Sequence, residues 1–236
     1  MPMLNDNSEL LSAVIWVCIT LVVYVGSLLI YRLLGSRPLF HPIIFCIAIL
    51  AALLFYAEVD VKEYQRYTGL LSWLLGPATV ALAIPVYAQL SSIKKNGLGI
   101  MLPIIVGGTL APLLALIGLY FLPMEASIKL SFLTKSITTP LAIETSQHIG
   151  GIPELAVVIV IFTGIVGAIF AASIYRLLGV KSAQAQGIAL GTVAHAIGTA
   201  QGFQMSQKVG AFASLGLCIN GVLTAIILPI IFFLFS

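Results

Sequence analysis

The sequence predicts an all-α integral membrane protein of about seven to eight membrane segments, with interrupted helices and an internal, inverted repeat. Three observations carry this. Of 236 residues, 60% are hydrophobic and 8% charged, with a mean hydropathy of +1.14, whereas a soluble domain carries about 25% charged residues. Charge that sparse cannot cover a water-facing surface, which excludes a soluble enzyme and a disordered chain. Apolar runs of the roughly 20 residues that a helical crossing needs recur along the chain. Three further runs of that length are broken by glycine, proline and hydroxyl side chains.

In chain order, residues 1–9 contain Asp6 and Glu9 but no Lys or Arg. The apolar run behind them is too long for a signal-peptide core, so 10–34 is expected to stay as a true span. The other clear spans are 40–57, 97–122, 154–178 and 210–235. Segments 70–90, 129–148 and 183–205 are the interrupted ones. The longest polar connection is 58–69, with Glu58, Asp60, Lys62, Glu63 and Arg66. No connection is long enough to fold alone, so 1–236 reads as one membrane domain. Cys18, Cys46 and Cys218 lie in apolar stretches without C-x-x-C spacing and read as small hydrophobes. Net charge is +3, and no basic run exceeds Lys94-Lys95, so the lipid bilayer is an expected partner and nucleic acid is not.

Residues 79–85 read Thr-Val-Ala-Leu-Ala-Ile-Pro and 192–198 read Thr-Val-Ala-His-Ala-Ile-Gly, agreeing at five of seven positions at an offset of 113 (192 − 79). The same offset pairs Gly97 with Gly210, Leu102 with Leu215, Gly108 with Gly221 and Leu110 with Leu223. A constant offset over consecutive segments favours duplication over chance matching of Ala- and Ile-rich spans. The repeat-related segments are about 40–122 and 154–235, linked by 129–148. If 129–148 dips in and returns, seven crossings remain. Arg32, Arg37, Lys94, Lys95, Arg176 and Lys181 then share the cytoplasmic side, leaving Lys62, Arg66, Lys129 and Lys208 outside, with Lys135 intramembrane. That agrees with the positive-inside rule, places the N-terminus outside and the C-terminus inside, and makes the repeats antiparallel.

The candidate chemistry lies in the interrupted segments. In 70–90, Gly76-Pro77-Ala78-Thr79 and Pro85 free backbone carbonyls that lipid cannot satisfy; the alternative is an ordinary proline kink. In 129–148, Pro140 disfavours helix at Thr139, so a break is expected there. A half-helix starting after it would aim N–H groups at a solute, a ready anion site. Lys135, Thr138 and Thr139 suit a carboxylate, although Lys135 is equally suited to snorkelling. Glu144, on the second half-helix, is a candidate proton or cation site, or else an i, i+4 polar pair with His148. In 191–202, small residues and Thr192 and Thr199 surround His195, the one ionisable group of 183–205, a candidate proton relay or a hydrogen-bonded structural residue. Asn220 beside Gly221 is a lesser candidate for bonding between helices. His41, His148 and His195 lack metal-ligand spacing, and no hydrolase or phosphate-loop motif occurs, so neither enzyme activity nor a cofactor is expected.

Leu74 through Tyr87 (LLGPATVALAIPVY), Lys135-Ser136-Ile137-Thr138-Thr139-Pro140, Gly150-Gly151-Ile152-Pro153, and His195 with Ile197-Gly198-Thr199-Ala200 together resemble the LrgB/CidB family, over roughly 35–235. His41-Pro42 fits as well, and Gln201 departs from the basic residue found in many members. The resemblance implies a bacterial inner-membrane protein encoded beside a small LrgA/CidA-type partner. It implies two competing activities: holin/antiholin-like control of murein hydrolases and lysis, or carriage of small monocarboxylates of the pyruvate, glycolate and glycerate class, as in the plant plastidial glycolate/glycerate translocator. Broken helices favour the carrier. On that reading Thr79, Lys135, Thr138, Thr139, Pro140, Thr192 and Thr199 bind substrate, and Glu144 and His195 couple protons. A homo-oligomer is compatible with either activity.

Overall fold

The computed structural model describes residues 7–35, 40–81, 84, 87 and 90–235; a few helical side chains within these ranges, Thr79 among them, lie outside the description. All regular structure among the described residues is helical. The chain packs as two compact units, Met1–Ala78 and Thr79–Ser236. That division falls inside the segment the sequence treats as one repeat-related half.

The first unit begins with α1 (Asn7–Leu33) and α2 (Pro42–Tyr56). His41 caps α2, its Nδ1 accepting from Ile43 N at 3.4 Å. The polar stretch 58–69 is more than a connection. Glu58 turns the chain at φ 54, Asp60 caps the next helix by accepting from Lys62 N at 2.7 Å, and α3 (Val61–Tyr67) leaves at 110° to α2. Tyr64 brings α3 against α1, its hydroxyl 2.9 Å from Thr20 Oγ1 and its ring edge-on to Trp16 at 5.6 Å. Arg66 pairs with Glu9. Charge made 58–69 look like loop; a capped, amphipathic turn of helix was hidden in it. The short α4 (Gly69–Trp73) follows, and α5 (Leu75–Ala81) runs across the division. Of the 79–85 repeat copy, Leu82, Ala83, Pro85 and the Thr79 side chain lie outside the described residues.

The second unit contains α6 (Leu90–Tyr120), α7 (Ala126–Ser131), a 3-10 turn (Phe132–Thr134), α8 (Thr139–His148), α9 (Pro153–Leu177), α10 (Ala183–Met205) and α11 (Gln207–Phe235). All five clear spans are helices, and α1, α6, α9 and α11 are long and apolar enough to cross a membrane. The bent pair α2–α3 makes a fifth if counted as one span. The 15-residue α2 falls short by itself, and α10 does not reach the required hydropathy because its 23 residues are rich in Gly, Ala and Gln.

The interrupted segments are where the chain departs from plain spans. Between Ser131 and Ile152 the chain closes on itself. Ser131 Oγ accepts from Ile152 N at 2.8 Å and lies 3.3 Å from Ile152 O. The close approach needs Gly151, where a Cβ would lie 3.1 Å from Ser131 N and 3.2 Å from Ser131 Oγ. Between Ser131 and Ile152, Ile137 is fully buried with Ala142 and Val160. In α10 the backbone kinks at His195, at φ 41 and ψ −128, a left-handed conformation that costs a non-glycine residue about 1–3 kcal/mol. A core of Leu190, Ala194, Val209 and Ala213 with Ala171 and Tyr175 of α9 clamps α10 around this kink.

Candidate functional site

Both breaks are built by local sequence. Thr138 is the extended N-cap of α8 (φ −70, ψ 152), and its carbonyl accepts from Ala142 N at 2.8 Å. The break therefore falls one residue earlier than the proline argument puts it. Thr139 already enters the helix, and Pro140 sits in the first turn, where its missing N–H is harmless. At the second break, Thr199 Oγ1 donates to His195 O at 2.9 Å, so one of the predicted hydroxyls satisfies the kink's own carbonyl.

Asn220 of α11 joins the two breaks. It is 2% exposed, and its Nδ2 donates to Ser136 O at 2.9 Å and to Thr192 O at 3.0 Å. Thr224 Oγ1 donates to Asn220 Oδ1 at 3.4 Å. Ser136, Thr138 and Thr192 are buried with Oγ atoms that have no hydrogen-bond partner, as is Ser146 further along α8. An N-cap threonine ordinarily accepts from its own first turn, yet Thr138 makes no such bond. Buried polar groups are nearly always paired, so three unpaired hydroxyls around two adjoining breaks call for a physical reason.

The remaining predicted residues divide. His195 is 2% exposed, and its Nε2 lies 2.9 Å from Val160 O; a carbonyl only accepts, so Nε2 carries the proton. Gly164 makes room for the ring. Glu144 is exposed on α8, and its backbone carbonyl, not its carboxylate, meets His148 Nδ1 at 2.7 Å. Lys135, Thr139 and Pro140 are half-buried, and no ion pair joins Lys135 to Glu144 among the described residues. Two cavities flank the junction. One of about 360 Å³ is lined by Pro103, Gly107, Gln184, Ile188 and Thr192 among others. The other, of about 230 Å³ and nearly all apolar, is lined by Gly108, Leu133, Asn220 and Thr224 with aliphatic neighbours. Lys135, Thr138, Thr139, Glu144 and His195 line neither. Sequence reasoning ranked Asn220 low and passed over Ser136; the available signal was a lone carboxamide in the middle of an apolar span.

An LrgB-like family model matches residues 20–234. The holin-like protein CidB of Staphylococcus epidermidis is 29% identical over 228 residues, which cover 97% of this chain and 99% of that protein. The antiholin-like protein LrgB of Bacillus cereus is 31% identical over 213 residues, 90% and 93% of the two chains. An uncharacterized protein of Haemophilus influenzae is 33% identical over 194 residues, 82% and 84% of the two. No solved structure matches. The family match takes in both breaks, the Ser131–Ile152 return and the Asn220 junction, and the chain belongs to the LrgB-like family.

Proposed function

We propose that this chain is a multi-pass carrier of the bacterial inner membrane that takes a small monocarboxylate at the meeting of its two breaks. The observation that carries the reading is the set of buried, unpartnered hydroxyls of Ser136, Thr138 and Thr192 beside the N-terminus of α8. Lone donors of this kind at a helix N-terminus suit a carboxylate better than any neutral solute. On this reading Ala126–Ile152 is a re-entrant excursion, seven crossings remain, the N-terminus is outside, and the halves are an inverted repeat. Its repeat-mates Gly108 and Gly221 are both close approaches, to Asn220 and to Leu141. Lys135, Thr139 and Pro140 belong to the route to the site, Thr199 holds the kink, and the proposed role of Thr79 in substrate binding lies outside the described side chains.

Uptake of labelled pyruvate, glycolate and glycerate into liposomes, with and without a pH gradient, tests this. Thr138→Val and Thr192→Val should each weaken apparent affinity about 10- to 100-fold, the worth of a hydrogen bond to a charged group. Their thermal stability should not fall, because each hydroxyl removed has no partner to lose. Loss of stability with unchanged uptake would mark them as structural.

His195, buried on Val160 O, and Glu144, exposed on α8, are proposed as separate proton-coupling groups, since they line no common cavity at the junction. His195→Gln keeps a donor for Val160 O and removes the titration, so uptake should persist with a flattened pH dependence. Wild-type pH dependence in that variant makes the histidine structural.

The names of the relatives support a second reading more directly, a holin-like or antiholin-like role; we propose that on this reading the chain controls lysis and murein hydrolases with a small LrgA/CidA-type partner, in a homo- or hetero-oligomer. Autolysis of cells expressing Thr138→Val separates the two. A lysis phenotype unaltered by a variant that no longer carries solute would favour the second reading.

A further inference from the structure

Asn220 is placed to do more than fill space between helices. Its single –NH2 group binds one carbonyl from each break, Ser136 O and Thr192 O, so neither segment moves independently while both bonds hold. The same carboxamide borders one of the two cavities. Asn220 lines the 230 Å³ cavity, and Thr192, bonded to it at 3.0 Å, lines the 360 Å³ one. The consecutive glycines of α6 divide in the same way, Gly107 on the Thr192 side and Gly108 on the Asn220 side.

We infer that Asn220 is a latch: its carboxamide ties the two breaks into one moving part, and its release frees them. It acts through Ser136 and Thr192 and is therefore a positioning residue. A switch needs an element with two discrete arrangements, and one amide shared by two breaks, with open space on either flank, provides it. The functional meaning of the latch rests on the carrier reading; its mechanical meaning does not.

Two routes release the amide. Asn220→Ala removes it. Gly108→Ala leaves it in place but displaces it, because the new Cβ would overlap Asn220 Oδ1 and lie 3.2 Å from its Cγ. Gly107→Ala is the matched control, since its Cβ would meet Thr192 Cγ2 at an ordinary 3.5 Å. Amide hydrogen exchange of the whole protein in nanodiscs, read in peptides covering 133–139 and 189–196, reports local opening. Asn220→Ala and Gly108→Ala should each speed exchange in both peptides about tenfold, and Gly107→Ala should leave both within about twofold. Adding Gly108→Ala to Asn220→Ala should change nothing further, because the oxygen it displaces is gone. Faster exchange in one break alone, equal acceleration throughout the chain, or a Gly108→Ala protein indistinguishable from Gly107→Ala would overturn the latch. If wild-type protein carries no solute, the carrier reading fails while the exchange result still decides the latch.

Discussion

Gly191→Ala should cost most of the folded, monodisperse protein. Helices α10 and α11 leave a tight turn at Ser206 and pack backbone against backbone, closest where Gly187 and Gly191 meet Val209 and Ala213. A Cβ on Gly191 would overlap Ala213 O and stand 2.6 Å from its carbonyl carbon and 2.8 Å from its Cα. None of these atoms belongs to a side chain that can rotate away, so the helices must separate along their whole contact. Overpacking costs about 1–3 kcal/mol and occasionally more; an obstructed backbone belongs at the upper end. Small residues are what allow membrane helices to approach this closely, since no hydrophobic driving force separates lipid from leucine. Gly118, with nothing within 4 Å of its added Cβ, is the control. Gly118→Ala should be neutral or stabilising by up to about 1 kcal/mol, the helix-propensity gain. Size-exclusion profile and thermal midpoint in one detergent give the comparison; equal yields for the two variants would refute the packing account.

Gly164→Ala should have the next largest effect, acting through His195. Its Cβ would come within 2.7 Å of the imidazole Cε1, 2.9 Å of Nε2 and 2.9 Å of Ile197 Cδ1. The ring would be driven from Val160 O, which keeps its helical bond, leaving the buried imidazole N–H unpaired at a cost of about 1–3 kcal/mol. Adding His195→Gly should recover much of that loss, because it removes the clashing ring and suits the positive φ that His195 adopts. Thermal midpoints of the two single variants and the double variant form the cycle. A double variant no more stable than Gly164→Ala would show that His195 is not what Gly164 accommodates.

Legibility differed by kind of feature. Spans were readable because a helix in lipid must be apolar for most of its length: α1, α9 and α11 follow their apolar runs to within a few residues, while α6 starts well before its run, at Leu90. Breaks were readable too, since Pro140 and the Gly- and Thr-rich run around His195 announce a backbone that cannot be regular. The Thr138 end of the break was placed one residue late, because the restriction that proline puts on its neighbour is a preference that a helical first turn can override. The small helix α3 was missed because charge and shortness look the same in a loop and in a capped amphipathic turn.

By itself, the sequence determined the class of protein, its apolar spans and where the chain is interrupted, for composition and proline chemistry act locally and need no partner. Only the tertiary structure decided that the interruption at 135–138 meets the one at 192–195, since Ser136 and Asn220 lie 84 residues apart and nothing in a one-dimensional pattern pairs them. It also decided which hydroxyls are spoken for. Thr199 is bonded to His195 O and Thr192 Oγ1 to nothing, although both sit in the same Gly- and Thr-rich run; whether a polar atom finds a partner depends on what packs against it, and that is a property of the fold.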